Sequence, residues 1–178
     1  DEGPCRLASM REILGEGRFL RLVSIDGWEW VERRRVSGVV AVIAVTPDGR
    51  LLLTGQRRRA LGCEVIDLPA GLAGDEPGAE NEALAAAARR ELEEEAGWTA
   101  DSLTVVATCP TSPGLTNETV TLLRAQGLRR IGAGGGVAGE GITVYAPLLA
   151  EVPAWLAAHA AAGALIDPKV YAGLWFAR

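Results

Sequence analysis

The stretch from Glu82 to Gly97, Glu-Ala-Leu-Ala-Ala-Ala-Ala-Arg-Arg-Glu-Leu-Glu-Glu-Glu-Ala-Gly, constrains this chain most. Its alanines, leucines and glutamates predict a helix, with Asn81 as N-cap and Gly97 as a natural stop. At about 100° per residue, Leu84, Ala88 and Leu92 form the inward stripe. Glu91 and Glu95 fall within roughly 20° of Leu84 on the same wheel. Glu94 lies to one side of them, and Glu93 points nearly opposite. Two carboxylates therefore interrupt the face that should be buried. They also crowd the last turn, where the helix dipole disfavours negative charge, and like charges at i, i+4 repel. A solvated acidic face balanced by Arg89 and Arg90 accounts for Glu93 but not for Glu91 and Glu95. A hard divalent cation that keeps several waters is the simplest way to hold such a cluster together. Arg90, one turn before Glu94, can fix that side chain through a charge-assisted bond.

The rest of the chain sets what this helix is built into. Its 178 residues suit one domain, or one domain with a small extension. Apolar residues at 48% and charged residues at 23% exclude a disordered or fibrous chain. A net charge of −5 argues against a nucleic-acid binder or a membrane-surface binder. The cysteines, Cys5, Cys63 and Cys109, are odd in number, far apart and without a CxxC, which points to a reducing compartment. His159 is the only histidine, so any site needing two is excluded. The longest apolar stretch, Val152 to Ile166, is too short to span a bilayer, and no charged-then-apolar leader opens the sequence. A cytoplasmic enzyme is the expectation.

Strand patterns surround the helix. A hairpin is expected over 18–35, turning at Asp26-Gly27. Val39 to Val45 is a continuous apolar run, as in a strand covered on both faces. Leu51 to Leu53 follows the Asp48-Gly49 turn, and Glu64 to Leu68 follows the basic Arg57-Arg58-Arg59. Pro69-Ala70-Gly71 opens a Gly-rich loop. Strands resume at 103–108, 118–124 and 142–149, with a flexible loop of six glycines at 132–141. A last helix starts near Pro153, followed by a short tail over 167–178. The mixture is α/β or α+β.

Gly71, Glu82 and then Arg90-Glu91-Leu92-Glu93-Glu94-Glu95-Ala96-Gly97-Trp98 resemble the Nudix box. That pattern runs Gly, five residues, Glu, seven residues, then Arg-Glu-apolar-any-Glu-Glu-any-Gly-apolar. From Glu82 onward every required position matches. Ten residues rather than five separate Gly71 from Glu82, which reads as a loop insertion near 74–78. Asp67-Leu68-Pro69-Ala70-Gly71, Gln56-Arg57-Arg58, Thr111-Ser112-Pro113-Gly114, Trp28 to Arg33 and the loop carrying Glu140 resemble the ADP-ribose pyrophosphatase branch. The likeness covers roughly residues 18–178.

The resemblance implies a Nudix α/β/α sandwich with a mixed sheet and an N-terminal β extension. Residues 1–36 would form the extension, serving dimerisation and substrate contacts, and 37–178 the catalytic domain. It implies Mg²⁺, with Mn²⁺ as a substitute, held by Glu91, Glu95 and the backbone carbonyl of Ala70. Ala70 otherwise marks a tight turn. Glu94 is a further ligand or a bridge through water. Glu140 matches the family's loop general base, its glycines letting the loop close over substrate; with Glu94 and Arg90 it makes up the catalytic group. Glu118 is a second candidate base, or fixes the loop. Arg33 and Arg58 would grip the diphosphate. Trp28 matches an adenine-stacking aromatic, or packs in the core or at a dimer seam.

The implied reaction is hydrolysis of the pyrophosphate of ADP-ribose or a similar ADP-sugar, giving AMP and a sugar phosphate. A homodimer is the implied assembly. The alternatives are a pyrophosphatase for another nucleotide sugar or dinucleotide, such as GDP-mannose or NADH, and a sensing domain that binds ADP-ribose without cutting it. The intact Glu91, Glu94 and Glu95 speak against the sensor.

Overall fold

The computed structural model describes residues 11–74, 82–137 and 139–177. The chain opens with β1 (Glu12–Glu16), β2 (Leu20–Ile25) and β3 (Trp28–Arg33), an antiparallel three-stranded sheet. The β2–β3 turn is Asp26-Gly27, at φ of 52° and 80°. Both central residues are left-handed, as a two-residue hairpin turn between twisted strands requires. β1 has no counterpart in the sequence reading; its pairing slips between Ile13 and Gly15.

The chain continues through β4 (Gly38–Ile43), β5 (Leu53–Arg58), β6 (Cys63–Asp67), β7 (Ala70–Ala73), α1 (Leu84–Glu91), β8 (Trp98–Thr99), β9 (Ser102–Pro110) and β10 (Thr119–Gln126). β11 (Arg129–Arg130), β12 (Thr143–Tyr145), α2 (Val152–Ala161), β13 (Leu165–Ile166) and α3 (Pro168–Phe176) complete it. A mixed central sheet runs β7-β4-β10-β9, with β4 and β10 parallel. A second sheet runs β12-β5-β6-β13, and β8 pairs with β11.

The apolar run in β4 is buried on both faces because two cores meet on it. Val40 and Val42 pack with Ala87, Ala88 and Leu92 of the helix and with Leu123 of β10. Ala41 and Ile43 pack with Leu53 and Ile66 of the second sheet and with Leu156 and Val170 of α2 and α3. Helices thus cover both sides of the sheets, giving the expected α/β/α sandwich.

Three expectations are corrected. Ala70-Gly71, read as the start of a loop, begins β7, which pairs antiparallel with β4 from Ala41↔Ala70 to Gly38↔Ala73. The tail over 167–178 contains α3, whose N-cap Asp167 accepts a bond from the Lys169 N–H at 2.9 Å; Asp-Pro is the signal, an N-cap followed by a proline at the first helical position. The N-cap of α1 is Ala83, without a side-chain bond; Asn81 lies outside the described residues, as does most of the proposed insertion.

Candidate active site

A cleft of about 390 Å³ brings together Arg33, Arg58, Ala70, Glu91, Glu95, Glu118 and Glu140. Arg90 and Glu94 sit beside it rather than in its lining, and Trp28, at the other end of β3 from Arg33, is not among the lining residues. After α1 the helix widens into a π-helical turn over Leu92–Ala96, closed by Gly97 at a φ of 74°. Such widened turns recur at functional sites. Here it carries Glu95, which is buried, against β7, where the Ala70 N–H donates to Glu95 Oε2 at 2.8 Å. The Glu91 side chain is 12% exposed and lies over Gly71, where a Cβ would overlap its carboxylate. Gly71 is therefore required by close approach rather than by its backbone angle.

Burial pushes the Glu95 carboxyl up to about 8; the Ala70 N–H works against this, while the charges of Glu91, Asp67 and Glu140 add to it. Anions crowded in this way invite a cation. Among the described residues, no group of three or more His, Cys, Asp or Glu side chains is arranged to hold a metal ion by itself. The donor set is two carboxylates, to be completed by backbone oxygen and water. That set fits Mg²⁺, which keeps several waters and takes one or two carboxylates.

Arg90 is the hub behind this face. Its guanidinium reaches Glu91 at 2.8 Å, the Leu72 carbonyl at 2.9 Å, Glu82 at 3.3 Å and Glu94 at 3.4 Å. Burial works against its charge, but the three glutamates outweigh that and raise its pKa. The contact foreseen with Glu94 exists but is the longest of the four. Glu93, expected to be solvated, accepts a bond from the Thr99 hydroxyl at 2.7 Å.

The Gly-rich loop differs from the free lid read from its glycines. Its first half is docked on the end of the helix. The N–H groups of Gly135 and Gly136 donate to the Glu95 and Glu94 carbonyls at 2.8 and 2.9 Å, and those of Ile131 and Gly132 donate to Gly97. A Cβ on Gly134, at a φ of 71°, would come within 2.5 Å of the Ala96 backbone. Terminal carbonyls that a helix leaves unpaired are satisfied by this loop. Beyond it, the Glu140 carboxylate accepts from the Val137 N–H at 2.9 Å, and Gln56 Nε2 donates to the Glu140 carbonyl at 3.0 Å.

On the cleft wall Arg33 is engaged by Glu118 at 2.7 Å. Trp28, on β3, is 80% exposed. Trp30 instead donates to Glu32, which also receives Arg11 and Arg21. Two cleft residues escaped sequence reasoning as functional groups, Asp67 and Lys169. Burial pushes the Asp67 carboxyl up, with Lys169 working against it. The sequence signals were an acid closing an apolar strand, within the Asp67-Leu68-Pro69-Ala70-Gly71 stretch that carries the resemblance but given no role there, and a lysine two residues after a helix cap.

Comparison with known proteins follows the same outline. A family model described as the NUDIX domain matches residues 34–141. An ADP-ribose pyrophosphatase of Bacillus subtilis (strain 168) is 42% identical over 93 residues, 51% of this chain and 46% of that protein. An ADP-ribose pyrophosphatase of Mycobacterium tuberculosis (strain ATCC 25618 / H37Rv) is 38% identical over 98 residues, 53% and 44% of the two chains. A methanol dehydrogenase activator of Bacillus methanolicus is 34% identical over 98 residues, 54% and 49%. The chain spans about half the length of the curated relatives it matches. A crystal structure of an ADP compounds hydrolase superposes with a TM-score of 0.64 at 22% identity, covering 83% of this chain and 80% of that one, a likeness of fold.

Proposed function

This chain belongs to the NUDIX domain family, and from that premise we propose that it hydrolyses the pyrophosphate bond of ADP-ribose or a similar ADP-sugar, giving AMP and a sugar phosphate. The observation that carries the reading is the cleft itself. It places two buried or nearly buried carboxylates beside a backbone edge, with a loop acid and two arginines in the same lining. The likeness to two ADP-ribose pyrophosphatases supports the choice of substrate.

Glu91, Glu95 and the Ala70 carbonyl would hold Mg²⁺, or Mn²⁺ in its place. When bound, the ion neutralises phosphate charge and lowers the pKa of water. Arg33 and Arg58 orient the diphosphate with guanidinium forks. Glu118 holds Arg33 until substrate arrives. Glu140 leaves its Val137 contact and takes the proton of the attacking water. The new bond joins the water oxygen to phosphorus, the bridging P–O bond breaks, and the bridging oxygen leaves with the other product half. Glu94, fixed by Arg90, supports the ion directly or through water.

Residues 1–36 serve as the dimerisation and substrate-contact extension and 37–178 as the catalytic domain. Ile13, Leu20 and Trp28 are exposed on the N-terminal sheet and Phe19 in the turn between β1 and β2, which supports a homodimer covering them. A second copy also explains how Trp28 reaches an adenine from outside the cleft of its own chain. No helix among the described residues is long and apolar enough to cross a membrane. The free thiols of Cys63 and Cys109 support a cytoplasmic setting.

The test is a turnover panel of ADP-ribose, ADP-glucose, GDP-mannose and NADH with Mg²⁺ and then Mn²⁺, products separated by chromatography. Cation-dependent release of AMP and ribose 5-phosphate is expected. Tight binding of ADP-ribose with no cleavage of any compound would overturn the hydrolase reading in favour of a sensor.

A further inference from the structure

One charged cluster of the cleft has no task in that scheme. Asp67 closes β6 with a side chain only 8% exposed, and its Oδ2 lies 3.0 Å from Lys169 Nζ. Lys169 stands in the first turn of α3, and the N-cap Asp167 holds the same ammonium at 2.7 Å. Burial works against the lysine charge, but the two aspartates outweigh it and raise its pKa. An ammonium has three N–H donors. Asp67 and Asp167 take one each, which leaves one for a ligand.

The position of that ammonium gives the remaining donor a direction of use. Lys169 and Asp67 line the cleft. Lys169 and Asp167 also line a second cavity of about 170 Å³, walled by Cys109, Thr111, Leu122 and Ala172. The lysine is thus shared by the two spaces. As a mere anchor for α3, such a pair would be a poor choice, since a buried ion pair is a weak stabiliser compared with an apolar contact. Its place between two cavities is what a binding role requires. Asp67 is also among the charges that bear on Glu95, so the ammonium tempers the negative field that a diphosphate must enter.

We propose that Lys169 is a substrate-binding residue that donates its third N–H to the sugar-phosphate half of a nucleoside diphosphate sugar, and that the cavity beside it receives the sugar. This rests on the pyrophosphatase reading and adds to it where the sugar goes. The lining matches a sugar ring: Leu122 and Ala172 offer apolar surface to ring carbons, and the Thr111 hydroxyl can bond a ring hydroxyl. The chain would then select substrates by the bulk of the sugar, independently of the nucleobase.

Ribose 5-phosphate and AMP, the two expected product halves, separate the claims. Each is titrated by calorimetry, with Mg²⁺ present, into wild type, Lys169→Met and Ala172→Met. Ala172→Met fills the cavity and leaves both ion pairs in place. Both variants should weaken ribose 5-phosphate about tenfold or more, the loss of one charge-assisted hydrogen bond or its equivalent, with AMP binding unchanged. Ribose 5-phosphate bound as tightly by Ala172→Met as by wild type overturns the assignment, including the case in which Lys169→Met fails to fold. So does equal weakening of both halves in a folded Lys169→Met. Wild type that binds ribose 5-phosphate through Lys169 yet cleaves no ADP-sugar refutes the hydrolase reading and sustains this one. Turnover of ADP-ribose with KM unchanged in both variants does the reverse.

Discussion

Exchanging Glu95 for glutamine keeps the side chain's shape and an oxygen acceptor for the Ala70 N–H while removing the charge. The folded-state pKa of about 8 lies above the ordinary 4.5. The folded protein therefore holds this proton more tightly than the unfolded chain does. The stabilisation is complete below the unfolded value, declines as pH rises, and is lost once pH passes the folded value. At about 1.4 kcal/mol per pH unit, the stability lost relative to acid pH is on the order of 3 kcal/mol at pH 7, where only the unfolded chain has released the proton, and about 5 kcal/mol above pH 8. Urea unfolding followed by tryptophan fluorescence, with a chelator present, reads this directly. Wild type should lose stability between about pH 5 and pH 8, while Glu95→Gln should stay nearly level and be the more stable protein at the alkaline end. Mg²⁺ should restore wild type there by mass action and do little for the variant. Parallel pH curves for the two proteins, or a variant weaker than wild type at pH 8, would refute the argument that Glu95 is a buried charge awaiting a cation.

Four further outcomes can be checked. Glu140→Gln should lower kcat by about 100-fold with KM nearly unchanged, as loss of a general base does; a shift in KM alone places the base elsewhere. Gly71→Ala should displace the Glu91 carboxylate that lies over it, weakening Mg²⁺ in a calorimetric titration while the unfolding midpoint stays close to wild type. Gly134→Ala meets both the left-handed backbone and the Ala96 contact, so it should destabilise by about 2 kcal/mol or more in urea, with turnover falling alongside. Trp28→Ala should weaken adenylate binding by about 1–3 kcal/mol, and the loss should vanish in any variant held monomeric; unchanged binding in the dimer makes Trp28 structural.

Legibility of the site followed sequence distance. The inward placement of Glu91 and Glu95 was readable because helical period is local, and it survives the π-helical widening that no residue announced. That widening accompanies bonds from Gly135 and Gly136, which lie some 40 residues further along the chain. The Asp26-Gly27 hairpin and the doubly buried β4 were readable for the same reason, being decided by neighbouring residues. Lys169 was not readable as a cleft residue, because its partner Asp67 lies about 100 residues away and each looks ordinary alone. The docking of the loop's first half was not readable, because a glycine signals either freedom or close approach, and only the neighbouring helix shows which. Trp28, which resemblance alone offers as an adenine-stacking aromatic with a core or dimer-seam position as the alternative, lies on β3 of a separate sheet and is exposed in the single chain.

The docking of Gly135 and Gly136 on the backbone of Glu94 and Glu95 ties the end of the helix and the start of the loop into one mechanical unit. The carboxylates proposed to hold a cation and the loop acid proposed as base share that unit, so a displacement of either element would be felt by both at once. The N-terminal sheet and α3 reach the cleft from outside that unit. Substitutions at those two edges would therefore alter what the cleft admits without disturbing the geometry of its carboxylates.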